Sequence, residues 1–252
     1  IALKFDSTSP PTAVGNRLVF LALDNEDDPH LGGIYSAFMK GGSPIELLVG
    51  IGEPPPGMTG IELTRIGEAL AYDGRYMAFW AGWGKDTFTQ RLYCPVDGNA
   101  DIIVFCNGVD PLSMYDKETD RWFQEKEIPL NQGIFMLDTW TNTTYLVADT
   151  VGDFNDFIFW GYSGHIPAPD EPDAELPRWR GASFVALSEG KVVFKARTGP
   201  LSDTREYIAP VDGLYLGTPL VDDTLSVIIE TGMDGAYFDP NVSKLFRATL
   251  PV

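Results

Sequence analysis

The chain has 252 residues, 44% of them hydrophobic and 21% charged, a globular composition that excludes wholesale disorder. Its 36 Asp and Glu against 18 Lys and Arg give a net charge of −18, which repels phosphate backbones and anionic lipid and argues against nucleic-acid and membrane partners. No apolar run approaches the roughly 20 residues that span a bilayer, and 26 Gly and 19 Pro without a short period exclude collagen and predict many turns.

The chain opens on Ile1-Ala2-Leu3-Lys4-Phe5-Asp6, without the basic and apolar regions of a signal peptide, so a secreted chain that starts here is the mature form. Two short signatures then recur. In the first, a turn glycine leads to a small apolar residue and Phe: Gly15 to Val19-Phe20, Gly74 to Ala78-Phe79, Gly190 to Val193-Phe194. The second begins a strand: Gly33-Ile34-Tyr35, Arg91-Leu92-Tyr93, Gly133-Ile134-Phe135 and Gly213-Leu214-Tyr215. Each is followed by a β-rich run, at 45–49, 101–105, 144–148 and 225–229. Ala69-Leu70-Ala71-Tyr72 and Phe184-Val185-Ala186-Leu187 add a further strand before two of the units.

A unit of four short strands with Gly/Asp-rich turns, repeated along the chain, predicts an all-β fold of β-propeller type with four or five blades. The whole chain, 1–252, reads as one domain, and a β-sandwich is the alternative. Lys244 to Thr249 together with the N-terminal segment supply strands for a fifth unit. Insertions at 107–131 and 152–180 break the repeat, and the charged stretch within Leu112 to Trp122 suits a short helix. Long irregular connections on a repeat scaffold are where function tends to sit.

Cys94 and Cys106 flank the turn-rich Pro95 to Ala100, and hairpin pairing would bring them within disulfide reach; two free core thiols are the alternative. The sequons at Asn142 and Asn241 lie beside turn-forming residues, as glycosylation requires. Together these features point to a secreted, extracellular glycoprotein.

Gly33-Ile34-Tyr35 followed by Leu48-Val49-Gly50-Ile51-Gly52-Glu53-Pro54-Pro55-Pro56-Gly57, and Asp156 to Gly164 with Pro177 to Arg180 and Ser183 to Ala186, carry a resemblance. The chain resembles a group of secreted bacterial and fungal proteins with G-I-Y-type repeats. The resemblance implies a propeller-like all-β fold and transfers no catalytic residue.

The second insertion concentrates the candidate chemistry. Carboxylates, an imidazole, guanidiniums and flat aromatic faces in one loop are what a glycan site needs. Trp160, Arg178, Trp179 and Arg180 are the expected substrate-binding residues, and His165, Tyr162 and Glu175 the expected catalytic ones. In a lyase, His165 or Tyr162 would take the proton alpha to a uronate carboxyl held by Arg178 or Arg180; a carboxylate pair would serve a hydrolase. The competing reading is a packed structural loop, with the arginines paired to local acids and Trp179 in the core. No cofactor is expected. Calcium is the one metal considered, with Asp153 and Asp156 as ligands, while Asp24-Asn25-Glu26-Asp27-Asp28 reads as a solvated turn.

No H-E-x-x-H, G-x-S-x-G or Walker sequence occurs. Trp80 and Trp83 with Phe79 and Phe88 read as packing between repeats rather than a sugar face. The function expected is a secreted, monomeric carbohydrate-active protein acting on a poly- or oligosaccharide. It would be a polysaccharide lyase or glycoside hydrolase, with a non-catalytic lectin or cell-surface interaction module as the alternative.

Overall fold

The computed structural model describes residues 7–25, 28–40, 42, 44–152, 154–167, 176–202, 206–221 and 224–237. The fold is all-β. In chain order the strands are β1 (Ser7–Thr8), β2 (Thr12–Val14), β3 (Arg17–Leu23), β4 (Gly32–Phe38), β5 (Glu46–Gly50), β6 (Leu63–Tyr72) and β7 (Tyr76–Tyr93). Helix α1 (Ala100–Cys106) follows, then β8 (Met114–Asp116), β9 (Arg121–Asp138), β10 (Thr143–Asp149), β11 (Phe159–Ser163) and β12 (Arg178–Ala182). The last strands are β13 (Val185–Ser188), β14 (Lys191–Thr198), β15 (Val211–Gly217) and β16 (Leu225–Glu230).

They form four antiparallel sheets. The first has the order β1-β3-β4-β5 with β2 also on β3; the second has β6-β7-β9-β10 with β8 on β9. The third is the two-stranded ribbon β11-β12, and the fourth is the meander β13-β14-β15-β16. None closes on itself, and the layering fits a multi-sheet sandwich more closely than the expected ring of four or five blades.

The two sequence signatures meet as cross-strand pairs at one register in three sheets. Phe20 faces Tyr35, Phe79 faces Phe135, and Phe194 faces Tyr215. Each pair is stacked, with ring centroids 5.9, 5.5 and 5.9 Å apart. Such aromatic pairs are a main unit of sheet stabilisation. In each sheet the next strand also carries a register shift beside this pair, at Ile34/Tyr35, Leu146/Ala148 and Leu214/Tyr215. The glycine of the signature has a steric reason: a Cβ on Gly33 would lie 2.0 Å from the Val49 carbonyl oxygen. The fourth signature, Arg91-Leu92-Tyr93, is not such a unit, because it is the far end of the 18-residue strand β7.

The second sheet lies in the middle. Met77, Phe79, Ala81, Phe135 and Leu137 pack against Val19, Leu21, Leu23, Ile34 and Val49 of the first sheet. From its opposite face Ala78, Trp80, Ile134 and Met136 pack against Val192, Phe194, Ala196 and Tyr215 of the last. Burial on both faces explains why Met77 to Ala81 is continuously apolar rather than alternating. Trp80 is buried and Trp83 stands edge-on to Phe135, so this aromatic cluster is packing between sheets.

Two local expectations are corrected. The run 101–105 is helical, not a strand. Asn99 caps it, its side chain accepting from the Asp101 amide at 2.9 Å, and the helix still brings Cys106 to Cys94 in a disulfide with a Cα separation of 5.8 Å. The segment 112–122 is a hairpin, not a helix. Asp116 organises its turn by accepting from the Glu118 amide and the Thr119 hydroxyl, each at 2.9 Å, and Asp120 takes a left-handed φ of 59°. The stretch 107–131 thereby supplies the first half of β9, which extends the β7-β9 ladder into an arm beyond the core.

Candidate functional site

In the arm, over Thr87 to Tyr93, β7 pairs with β9 alone, and β8 joins the other side of β9 from Phe123 to Arg121. One face interleaves cations with rings. The Arg121 guanidinium lies over Tyr93 at 4.3 Å and that of Arg91 over Phe123 at 4.2 Å. Arg91 also reaches Asp116 at 3.5 Å and Glu125 at 3.7 Å.

The last sheet presents its outer face towards the same region. β14 alternates Val192, Phe194 and Ala196 into the core with Lys195 and Arg197 on the other side. Arg197 grips Asp212 across the β14-β15 ladder, Nε to Oδ1 at 2.6 Å and Nη2 to Oδ2 at 3.1 Å. Burial would lower the Arg197 pKa, but the Asp212 hydrogen bonds outweigh it and the net direction is upward. The Lys195 ammonium is 3.7 Å from the centroid of Phe159, and burial pulls its pKa below the usual lysine value.

Between these elements and the β11-β12 ribbon is a cleft of about 440 Å³. Gln90, Arg91, Tyr93 and Arg121 line it from the arm, Phe159, Trp160 and Trp179 from the ribbon. Lys195, Arg197, Asp212, Glu206 and Tyr207 line the remaining side. Burial raises the Tyr207 pKa, so its phenol keeps its proton.

Five buried polar atoms on these residues have no hydrogen-bond partner among the described residues: Gln90 Oε1, Arg91 Nε, Trp160 Nε1, Trp179 Nε1 and Glu206 Oε1. Buried polar groups are ordinarily paired, because leaving one unpaired costs about 1–3 kcal/mol. All five belong to residues that line the cleft, and Trp160 and Trp179 line the smaller cavity beside it as well.

The residues expected from sequence divide between this cleft and other settings. Trp160 and Trp179 line it. Pairing of Trp160 with Gly181 and of Tyr162 with Trp179 puts these aromatics on one face of the ribbon, and alternation puts Arg178 and Arg180 on the other. Arg180 borders a separate cavity of about 80 Å³ beside Trp80 and Ser183, which Trp160 and Trp179 also line. The Tyr162 hydroxyl donates to Asp110 Oδ2 at 2.6 Å and lies 3.2 Å from the Pro177 carbonyl. Burial and that carboxylate raise its pKa, so it ties the ribbon to the arm and is a poor base.

His165 is exposed beyond the end of β11. Glu175, Asp153 and Asn241, like the 244–249 run, lie outside the described residues. Asn142 sits exposed in the β9-β10 turn. Asp156 is buried, and Asp24 organises its own loop, accepting from the His30 and Leu31 amides at 2.9 Å. Among the described residues no three His, Cys, Asp or Glu converge as metal ligands.

Sequence reasoning passed over Arg91, Arg121, Lys195, Arg197, Glu206 and Tyr207. The available signal was the placing of Lys and Arg on alternate residues of β14, a strand whose counterparts in the other repeats are apolar. The chain matches no family model, no curated protein and no solved structure.

Proposed function

We propose that this is an extracellular carbohydrate-active protein that binds a glycan in the cleft between the arm, the ribbon and the last sheet. The observation that carries the reading is the combination of aromatic walls and unpartnered polar atoms in a cavity of about 440 Å³. Ring faces stack on the apolar faces of sugars, while indole N–H groups, an amide and a carboxylate bond their hydroxyls. The disulfide and the exposed Asn142 sequon favour an extracellular setting.

Binding has stronger support than hydrolysis. A glycoside hydrolase needs two carboxyl groups flanking the scissile bond, and here Asp212 is held by Arg197 while the Glu206 charge acts on Arg91.

The test is calorimetric titration with a panel of neutral and acidic oligosaccharides, each mixture also assayed for unsaturated products and new reducing ends. At least one glycan should bind, and Trp160→Leu and Tyr207→Phe should each weaken it about tenfold or more while circular dichroism shows the fold retained. Binding of no glycan, or binding indifferent to both substitutions, would overturn the proposal.

A further inference from the structure

The cleft has a charge opposite to that of the molecule. Its lining carries four cations, Arg91, Arg121, Lys195 and Arg197, against two carboxylates, Glu206 and Asp212, in a chain of net charge −18. Two of the cations are internally matched: Arg197 to Asp212, and Arg91 to Asp116 and Glu125. The other two form no ion pair among the described residues. Arg121 lies exposed at the mouth on Tyr93, and Lys195 is 3% exposed, set against Phe159 and Phe184.

A buried ammonium with no acid at ion-pair distance is costly for a fold to keep, even with the Asp212 charge nearby favouring its charged form and the Arg197 charge opposing it. Ring faces offset part of that cost. An anion from outside would offset far more of it. The rest of the surface is acidic and repels long polyanions, so the demand is for a local negative group on an otherwise polar ligand.

We infer that the ligand is an acidic sugar whose carboxylate is received by Lys195 and Arg121, with the sugar ring between the aromatic walls. This rests on the glycan reading above and names its substrate class. The planar carboxylate suits a guanidinium through two parallel N–H···O bonds, and the ammonium acts as a point charge behind it. A sulfate ester would offer the same kind of anion, so the test separates the two.

The experiment titrates one oligouronate as the free acid and as its methyl ester, a neutral oligosaccharide of equal length, and a sulfated one. Wild type, Lys195→Met and Arg121→Ala are compared, with circular dichroism and thermal midpoints confirming the fold. The free acid should bind at least about tenfold tighter than its ester, as charge-assisted hydrogen bonds imply. Lys195→Met and Arg121→Ala should each shrink that ratio, weakening the free acid more than the ester.

Equal affinity for acid and ester, or a ratio that survives in both variants, overturns the inference and leaves glycan binding standing. Preference for the sulfated ligand overturns the carboxylate assignment. Binding of none of the four overturns both readings.

Discussion

Replacing Asp156 by Asn measures what this buried carboxylate does beneath the cleft. Its side chain is 1% exposed. Oδ1 accepts from the Ile158 amide at 2.9 Å, and Oδ2 has no hydrogen-bond partner among the described residues. Its backbone brackets Arg197, whose amide donates to the Asp156 carbonyl at 2.9 Å. Burial raises the Asp156 pKa from 3.8 to about 6, against the lowering effect of the Ile158 amide and the Arg197 charge.

The folded state therefore holds this proton more tightly than the unfolded chain does. The stabilisation is fully present below pH 3.8 and is lost as pH rises through about 6. A difference of about two units corresponds to about 3 kcal/mol at neutral pH, an upper figure because some water reaches most buried charges. Asp156→Asn keeps an acceptor for Ile158 and removes the ionisation. Urea unfolding from about pH 4 to about pH 8 should show the wild type losing about 2–3 kcal/mol more than the variant. Repulsion within the acidic surface affects both proteins and cancels in the comparison. Parallel stability–pH curves for the two proteins would refute the argument.

Reduction of Cys94–Cys106, or Cys94→Ala with Cys106→Ala, reopens a loop of sequence separation 12 and should destabilise by about 2–3 kcal/mol; thermal midpoints with and without reductant check this. Arg75 grips Asp138 through Nη2 at 2.7 Å and Nε at 3.2 Å, and this pair holds the Asp138 carboxyl down at about 2. Stability from a depressed carboxyl is present above pH 3.8 and lost as pH falls through about 2. Arg75→Met should therefore lower stability at neutral pH, discounted for the half-open guanidinium, and the deficit, read from urea midpoints, should close as acid unfolding is approached.

The all-β class, the repeat and the disulfide were legible because each has a local signal. Turn glycines, the Phe position and the G-I-Y position fall at one register in three sheets, since cross-strand aromatic pairing depends on short-range spacing. The helical state of 101–105 was not legible from β-branched content: tertiary context and the Asn99 cap outweigh propensity there. The candidate cleft was legible only at Trp160 and Trp179, aromatic residues in a conspicuous segment, whereas Lys195 and Arg121 line it from strands far apart in sequence.

The repeat also explains why the cleft lies where it does. The three core strands share a Phe-x-Ala-x pattern: Phe20-Leu21-Ala22-Leu23, Phe79-Trp80-Ala81-Gly82 and Phe194-Lys195-Ala196-Arg197. The sheets stack head to tail, so the Leu21 face of the first meets the Phe79 face of the second, and the Trp80 face of the second meets the Phe194 face of the last. Among the described residues the outer face of the last sheet is covered by the narrow β11-β12 ribbon, and there the pattern carries Lys and Arg in place of Leu, Trp and Gly. A polar outer face is what the end of a stack requires. Solubility alone, however, would place Lys195 in water rather than against Phe159 with 3% of its surface exposed. The same substitution that ends the stack therefore also leaves a buried cation beside a cavity, an arrangement that capping the stack does not require.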